Sequence, residues 1–484
     1  MCPERSSGVA MNSTLLLLRA APGDERPIHF IGIAGAGMSA LAELFKRRGV
    51  AVQGTDSNPS AAPDLVKLGI TVSAHDAALV TRARAVVYSS AIPAQHPEMV
   101  AARTLGLPLV RRAEALAQAV SGGSLVAIAG THGKTTTTVM TTEALAAAGL
   151  DPTGVVGGRV GRWEGNLRLG GENTFVVEAD EYDRSFLALS PSVAVVLNVE
   201  ADHLDIYKDL ADIAGAFEKF VSPAHTIVRC ADDAGAMALN IGAAHQTIAY
   251  SATVAGHAPA PTVKDARLVA KDVELNSSGA GFTVMFDDET LGRVTLSVPG
   301  IHNVRNALAA LGSGLALGCK FAPLAEGLAS FRGVERRFQR IDTGNSLNIR
   351  VIDDYAHHPT EVAATIAAAR ASFPNRRLVV AFQPHLYSRT FDLHREFAEA
   401  LSGADVVLLC DIYGAREQPI AGVTSALIGN QLPKTTLRWS GPRTDVSAIY
   451  LSAIKAPGDI IITMGAGDIT KASVAIEAML GLSR

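Results

Sequence analysis

The chain has few cysteines, little net charge and no long apolar run at its start. Its four cysteines, Cys2, Cys230, Cys319 and Cys410, include no CxxC pair. That spacing argues against a disulfide framework and against a structural zinc site built on cysteines, and it fits a reducing compartment. The formal net charge of −4 argues against a nucleic-acid-binding surface. The apolar run at 15–18 is too short to cross a bilayer, so we predict no membrane insertion.

The composition indicates a globular chain of several domains. Hydrophobic residues make up 48% and charged residues 19% of 484 residues, which is too long for one core. We predict an α/β fold, with an N-terminal extension at 1–26 and three domains at 27–121, 122–331 and 332–484. The Ser-Gly-Gly-Ser stretch at 121–124 is the expected hinge after the first domain.

The stretch LVAIAGTHGKTTTT at 125–138 predicts a phosphate-binding loop. A buried strand precedes a glycine-rich turn, and a helix is predicted over 139–150. Loop N–H groups and the helix N-terminus attract an anion, Lys134 adds positive charge, and Thr135 is placed to ligate Mg²⁺. Ile128 stands where the strict P-loop has glycine. The alternative is an ordinary Gly/Thr turn beside a surface lysine, although four threonines are a poor start for a helix.

The first domain begins with a strand, a glycine-rich turn and a helix predicted from residue 40, followed by a second strand that ends at Asp56. This order is typical of dinucleotide-binding units, although the glycine spacing is GxxGxG. Gly35 and Gly37 would approach a diphosphate, with Asp56 near a ribose or base. The alternative is a tight turn with a capping aspartate.

Acidic residues follow two further predicted strands. Glu178 and Asp180 lie on one face of an extended chain, and their mutual repulsion calls for a cation, with Mg²⁺ expected beside a nucleotide. Asp202 and His203 come just after the next strand, where open α/β sheets bind ligands. A solvated acidic loop and a structural histidine are the alternatives.

The remaining candidates lie later in the chain. Asn303 and Asn306 share one helix face, where they would contact a purine edge or cap the helix. Residues 245–298 alternate in hydrophobicity and predict an antiparallel edge. In the third domain, Asp354, His385 and Arg389 follow successive parallel strands and line one crevice.

Nine blocks in one order resemble the Mur ligases of bacterial cell-wall synthesis. They are GIAGAGMSALAE (32–43), GTHGKTTTT (130–138), EADEYDRSFL (178–187), NVEADHLD (198–205), GIHNVRNA (300–307), RRF (336–338), DDYAHHPTE (353–361), FQPHLYSR (382–389) and GAGDI (465–469). The resemblance implies a cytoplasmic enzyme with an N-terminal Rossmann-like UDP-binding domain, a central P-loop ATPase-like domain and a C-terminal Rossmann-like domain. It implies ATP-dependent joining of L-alanine to UDP-N-acetylmuramate through an acyl phosphate, with ATP and Mg²⁺, as a monomer or homodimer.

The resemblance also implies residue roles. Catalysis would depend on Lys134, Glu178 and His203, and Mg²⁺ would be held by Thr135, Glu178 and His203. The other implied contacts are Gly130, Thr131, His132, Gly133, Lys134, Thr135, Thr136, Asn303, Arg337 and Asp354 for ATP; Gly35, Gly37, Ser39, Asp56 and Ser89 for the UDP substrate; and Tyr355, His385 and Arg389 for the amino acid.

Three positions bear on how well the chain matches the family pattern. Ala34 replaces a glycine, which is tolerated if its φ is negative. Leu386 replaces an arginine found in many members, which removes one possible carboxylate contact. Lys219 lies in the region where some members carry a carbamylated lysine, and we assign it no role.

Other functions compete with this one. A recycling ligase that attaches a preformed peptide to the same nucleotide sugar would share the EADEYD block. An NAD-dependent oxidoreductase would explain only the first domain. A non-catalytic nucleotide switch would bind ATP without substrate-dependent turnover.

Overall fold

The computed structural model describes residues 23–252, 266–341, 344–415, 417–434 and 436–481. It contains three β-sheets that follow one another along the chain, each flanked by helices. This is the α/β architecture expected from the sequence. Most of the predicted N-terminal extension lies outside the described residues.

The first sheet has five parallel strands in the order β3-β2-β1-β4-β5. All four residues of β1 are buried, as expected for the central strand of a parallel sheet covered on both faces. The strands are β1 (Ile28–Ile31), β2 (Val52–Thr55), β3 (Thr71–Ser73), β4 (Ala85–Tyr88) and β5 (Leu109–Arg111).

The second sheet has ten strands in the order β15-β14-β13-β12-β11-β10-β6-β9-β7-β8. Its centre is parallel, whereas β13 to β15 pair antiparallel, which confirms the antiparallel edge predicted there. The antiparallel pair of β7 and β8 at the other edge was not predicted. The strands are β6 (Ser124–Ala129), β7 (Thr153–Val160), β8 (Gly165–Arg168), β9 (Thr174–Glu178), β10 (Val193–Val196), β11 (Thr226–Cys230), β12 (Gln246–Ala252), β13 (Leu268–Asn276), β14 (Gly279–Phe286) and β15 (Glu289–Leu296).

The third sheet has six strands in the order β16-β17-β21-β18-β19-β20, and only β16 runs antiparallel to its neighbour. The sequence pattern indicated β17, β18, β19 and β21 but missed the edge strand β20. The strands are β16 (Gln339–Arg340), β17 (Arg350–Asp354), β18 (Leu378–Phe382), β19 (Val406–Cys410), β20 (Leu437–Gly441) and β21 (Ile460–Met464).

Two helices begin earlier than the sequence predicted. α1 begins at Ala36 instead of residue 40 and α6 at Lys134 instead of residue 139, whereas α9 begins at Ile301 and includes Asn303 and Asn306 as expected. The helices are α1 (Ala36–Arg47), α2 (Pro63–Lys67), α3 (Ala77–Val80), α4 (Pro97–Thr104), α5 (Arg112–Ala119), α6 (Lys134–Ala147), α7 (Leu210–Val221), α8 (Ala234–Ala238), α9 (Ile301–Ala316), α10 (Phe321–Ser330), α11 (Pro359–Ser372), α12 (Tyr387–Leu401), α13 (Ala426–Gly429), α14 (Val446–Ile449) and α15 (Thr470–Gly481).

Buried apolar clusters pack against both faces of the central sheet, from which the phosphate loop extends. One buried apolar cluster joins the first sheet and α1 to one face of the central sheet, and a second fills the opposite face beneath α6, α9 and α10. β6 is central in its sheet and buried along its length, so the loop that follows it rests on a rigid base. Among the described helices, none has the length and apolar character needed to cross a membrane.

Candidate active site

The loop after β6 turns at two glycines. Gly130 has φ +148° and Gly133 has φ +84°, and an added Cβ would meet Leu197 at 2.8 Å and Asn306 at 2.9 Å respectively. Asn198 holds the loop because its Oδ1 accepts from the His132 N–H at 2.7 Å and its Nδ2 donates to the His132 carbonyl at 3.1 Å. Thr131 accepts from the Glu200 N–H at 2.9 Å. The loop is therefore tied to the turn that follows β10.

Lys134 opens α6, and its ammonium group lies inside the loop. Its Nζ donates to the Gly130 carbonyl at 2.7 Å, the Thr131 carbonyl at 3.2 Å and Glu181 Oε1 at 2.9 Å. Burial opposes the charge on Lys134, but Glu181, Asp180 and Glu178 outweigh it and raise its pKa. Burial also raises the pKa of Glu181, to about 7. A buried cation thus lies where the loop converges.

Thr135 and Glu178 come together, as the sequence predicted. The Thr135 hydroxyl is 3.0 Å from both Glu178 carboxylate oxygens, and Glu178 also accepts from the Gly157 N–H at 2.7 Å. Hydroxyl and carboxylate oxygens are the ligands that Mg²⁺ prefers, so these side chains fit that ion.

His203 lies on the other side of Glu181. Its Nε2 is 3.8 Å from Glu181 Oε1 and 3.7 Å from Asp202 Oδ2, and its backbone has φ +54°. Burial lowers the pKa of His203, which favours the neutral ring that a metal ion requires. Glu181 therefore links the two predicted catalytic residues Lys134 and His203.

A cavity of about 220 Å³ runs from the loop to the third sheet. Asn303 and Asn306 are buried in its wall, and the Asn306 amide donates to Asn303 Oδ1 at 3.2 Å. The Asn303 amide in turn donates to the Pro299 carbonyl at 2.7 Å. The other predicted ATP residues in its lining are His132, Gly133, Thr136, Arg337 and Asp354.

Each sheet and its flanking helices is called a unit, numbered in chain order. Asp354 and Arg337 reach this cavity from the third unit. Both Asp354 carboxylate oxygens accept backbone N–H groups, from Phe338 and Ala356, at 2.7 Å, while burial raises the Asp354 pKa to about 6. Arg337 donates to Glu361 Oε1 at 3.2 Å. The second and third units thus form this cavity together.

A larger cavity of about 810 Å³ lies between the first sheet and the second unit, which carries the phosphate loop. Of the predicted UDP-binding residues, Gly35, Gly37, Asp56 and Ser89 line it. Ser39 does not, because α1 begins early and the Ser39 hydroxyl donates to the Ala36 carbonyl at 2.9 Å.

Asp56 orders the glycine-rich turn beside this cavity. Its carboxylate accepts from the Ala34 N–H at 3.0 Å and the Asn58 N–H at 2.9 Å. These contacts are those of an aspartate that caps a tight turn, the alternative given above. Ala34 is absent from the residues with positive φ among those described, which fits the expectation for this substitution.

The residues expected to contact the amino acid lie around the third unit. Tyr355 lines the larger cavity, and the guanidinium groups of Arg336 and Arg337 lie over its ring at 4.8 and 5.1 Å. The His385 ring stacks on Tyr413, with the ring centroids 5.9 Å apart. Arg389 donates to Asp202 Oδ1 at 2.7 Å, across the boundary between the second and third units.

The structure adds residues that the sequence did not single out. Arg112 places Nη1 within 2.8 Å of the Cβ position of Gly37, inside the larger cavity. Glu361 meets Arg337, His357 and the phosphate-loop residue His132, which links three functional stretches. Glu181 belonged to the predicted acidic cluster, but its pairing with Lys134 was not foreseen. A basic pair at 111–112 was the only sequence signal for Arg112.

Two α/β units on either side of a central mixed sheet with a phosphate loop define a multidomain nucleotide-binding protein. Family profiles make the class specific: "Mur ligase family, catalytic domain" matches residues 27–123, "Mur ligase middle domain" 128–314 and "Mur ligase, glutamate ligase domain" 336–467. The chain belongs to the Mur ligase family.

Individual relatives cover nearly the whole chain. UDP-N-acetylmuramate–L-alanine ligase of Acidothermus cellulolyticus is 44% identical over 91% of this chain and 91% of its own length. The enzyme of the same name from Salinibacter ruber is 40% identical over 96% and 97%. Among solved structures, UDP-N-acetylmuramate-alanine ligase from Thermotoga maritima has a TM-score of 0.79 at 29% identity, covering 95% of this chain and 100% of that one. A murein peptide ligase from Psychrobacter arcticus has a TM-score of 0.68 at 26% identity, covering 94% and 99%.

Proposed function

We propose that this chain is an ATP-dependent ligase that joins L-alanine to UDP-N-acetylmuramate, giving UDP-N-acetylmuramoyl-L-alanine, ADP and phosphate. The observation that carries the proposal is the position of the Thr135–Glu178 pair. Glu178 lines the larger cavity, and Thr135 follows the loop that borders the smaller one. The Thr135–Glu178 pair therefore lies between the cavity lined by predicted ATP residues and the cavity lined by the predicted UDP residues.

The residues suit activation of a carboxylate by phosphoryl transfer. The substrate carboxylate attacks the γ-phosphate of ATP, and the resulting acyl phosphate is attacked by the alanine amine. Such chemistry depends on positioning and on neutralising negative charge more than on a protein nucleophile. Lys134 and the N-terminus of α6 would bind the phosphates, and Glu181 would receive the ammonium group between turnovers.

We also propose that Mg²⁺ binds at this site. Thr135 and Glu178 would hold one ion and His203 a second, and these ions would neutralise charge on the phosphates. The oxygen pair at Thr135 and Glu178 and the neutral ring of His203 support this assignment.

The other predicted residues are assigned to three ligand groups. The proposal assigns Gly130, Thr131, His132, Gly133, Thr136, Asn303, Arg337 and Asp354 to ATP; Gly35, Gly37, Asp56 and Ser89, with Ser39 behind them, to the UDP group; and Tyr355, His385 and Arg389 to the amino acid. Tyr355 reaches the larger cavity from the third unit, so the amine and the carboxylate would meet beside Glu178.

The domain division at 1–26, 27–121, 122–331 and 332–484 is part of the proposal, and it is supported by one sheet in each of the three domains. We propose a cytoplasmic location, in keeping with the free cysteines Cys230, Cys319 and Cys410. The oligomeric state, monomer or homodimer, stays a prediction.

The test is phosphate release from ATP and Mg²⁺ with UDP-N-acetylmuramate, with and without L-alanine. We expect release that requires both substrates and a product heavier by one alanine residue. Release with a murein tripeptide but not with alanine would assign the chain to peptide recycling instead. No release with either amine would contradict ligase activity while leaving the fold unaffected.

A further inference from the structure

We propose that His132, His358 and Glu200 form a binding site for a transition-metal ion of the zinc type, distinct from the Mg²⁺ site at Thr135 and Glu178. His132 lies in the phosphate loop and Glu200 follows β10, whereas His358 caps α11 in the third unit. An ion held by all three would join two units of the molecule. Binding does not depend on the proposed function, but the inhibition argued below does.

The spacing of the three side chains fits a single ion. His132 Nε2 is 3.6 Å from Glu200 Oε2, and His358 Nδ1 is 3.8 Å from the same oxygen. The two imidazole centroids are 4.5 Å apart, and one potential ligand atom from each residue lies within 4.8 Å of the others. Ligands at about 2.0–2.1 Å from a tetrahedral ion are roughly 3.3 Å apart, so small side-chain shifts would complete the site.

Two ring nitrogens in this cluster have no hydrogen-bond partner. Nε2 of His132 and Nε2 of His358 are both buried and unpartnered, and the two side chains are only 10% and 6% exposed. A buried polar atom left unsatisfied costs about 1–3 kcal/mol, so such atoms require an explanation. Coordination of a metal ion supplies one for His132, because its unpartnered Nε2 is the nitrogen nearest Glu200. His358 presents Nδ1 to Glu200, so its unpartnered Nε2 adds nothing to the argument.

Neighbouring groups orient the ligands. Glu361 Oε1 lies 3.6 Å from His132 Nδ1, on the far side of the ring from Glu200. The Thr360 hydroxyl donates to Glu200 Oε2 at 2.6 Å. A carboxylate behind a ligating histidine is the usual outer partner of a zinc ligand. Two imidazoles and one carboxylate favour zinc-type ions over Mg²⁺, which prefers oxygen.

A second histidine–glutamate cluster provides the comparison. His75, His96 and Glu98 are also close enough to share an ion. There, however, neither His75 nor His96 has a buried ring nitrogen without a hydrogen-bond partner, whereas His132 does. Both oxygens of Glu98 also accept hydrogen bonds, from the Thr55 hydroxyl and the Asp76 N–H at 2.7 Å. We therefore use His96 as the control position.

The site predicts inhibition of the ligase by zinc. His132 lies in the phosphate loop, and the three ligands come from two units whose relative movement is expected to accompany substrate binding and product release. An ion that joins them would slow that movement.

Binding is tested with Co²⁺ added to Mg²⁺-free full-length protein at mildly alkaline pH, because Glu200 and Glu361 raise the His132 pKa to about 9 despite its burial. We expect the visible absorption of tetrahedral Co²⁺ in the wild type and in His96→Gln, and its loss in both His358→Gln and Glu200→Gln. Thermal melting establishes that each variant is folded, and the conservative Glu200→Gln change serves if His358→Gln is not. Absorption that is absent from the wild type, or unchanged in the folded variants, would overturn the site and leave His132 as an imidazolium between two carboxylates.

Inhibition is measured as the free Zn²⁺ concentration that halves phosphate release, relative to each variant's own rate. We expect that concentration to rise at least ~10-fold in His358→Gln and Glu200→Gln and to stay unchanged in His96→Gln. Equal inhibition of all four proteins would place the inhibitory zinc at the Mg²⁺ site and overturn the inhibitory role. A protein without turnover but with the cobalt spectrum would contradict the proposed function and support the metal site.

Discussion

The charged state of the buried Lys134 side chain depends on the carboxylates around it. Its ammonium group contacts two loop carbonyls and Glu181, and the surrounding carboxylates keep it protonated despite burial. Because the ammonium group is already buried, replacing the Glu181 carboxylate by a phosphate as its partner costs little in solvation. That exchange is what binding and release of a phosphate require.

Removal of the Lys134 amine is expected to abolish most turnover. Lys134→Ala should lower kcat by about 10²-fold or more, because a preorganised charge at the phosphates is lost. Steady-state phosphate release measures this effect. Lys271→Ala, which changes an exposed lysine on β13, is the control and should retain the wild-type rate. A Lys134→Ala enzyme within a few-fold of wild type would contradict the assigned role.

At the scale of an element, α6 shows how burial overrides helix propensity. Threonine is a poor helix former, yet all four threonines at 135–138 lie inside the helix and are buried. The hydroxyls of Thr138, Thr141 and Thr142 donate to carbonyls four residues earlier at 2.7–2.8 Å, which satisfies these groups internally. The branched side chains pack between the central sheet and neighbouring helices.

The turn into α6 leads to a prediction for Gly133. Gly133→Ala should destabilise the protein by about 1–2 kcal/mol and raise the KM for ATP, because φ is +84° and the new Cβ would meet Asn306 at 2.9 Å. Thermal melting and KM measurements test both effects.

The matched control is Gly215→Ala on α7, where a Cβ meets nothing within 4 Å and φ is not positive. There alanine should leave stability unchanged or raise it by up to about 1 kcal/mol. Equal melting temperatures for the two variants would contradict the strain argument.

At the scale of the whole molecule, a buried ion pair joins the second and third units. Arg389 and Asp202 are 6% and 10% exposed and lie 2.7 Å apart. Burial opposes ionisation of Asp202, but Arg389 and His203 outweigh it and hold its pKa well below the ordinary value. The contribution of Asp202 to stability is therefore fully present at neutral pH. It is lost progressively as the pH falls through the range in which a free aspartate titrates and on towards the lowered pKa.

Breaking this pair should separate the two units. Asp202→Asn leaves Arg389 without its anion, and loss of one partner of a buried pair typically costs about 3–5 kcal/mol. We expect a larger radius of gyration by small-angle scattering and a lower kcat. Asp64→Asn, which breaks the exposed pair between Asp64 and Arg159, is the control. An unchanged radius in Asp202→Asn would show that other contacts hold the units together.

The sequence by itself determined the parts that depend on short spacings. A strand, two glycines and Lys-Thr determine the phosphate loop. The contact between Thr135 and Glu178, by contrast, depends on the pairing of strands β6 and β9, which are not consecutive in the chain. Ordered blocks were sufficient to indicate the family. The starts of α1 and α6 were misplaced by four and five residues. For α6 the reason is that burial of Thr135 and its neighbours outweighs their weak intrinsic preference.

Tertiary structure alone decided the contacts between residues far apart in the chain. Arg389 meets Asp202 and Glu361 meets His132 only because two sheets pack with their strand ends facing. Leu386 takes φ +72° where the chain enters α12, a conformation that no local pattern predicts for leucine. Ser39 lies in the first turn of α1, where its hydroxyl donates to the Ala36 carbonyl, and it does not line the larger cavity. Local sequence specifies which groups are available, whereas packing between units decides which of them meet, because such contacts depend on the positions of every intervening element.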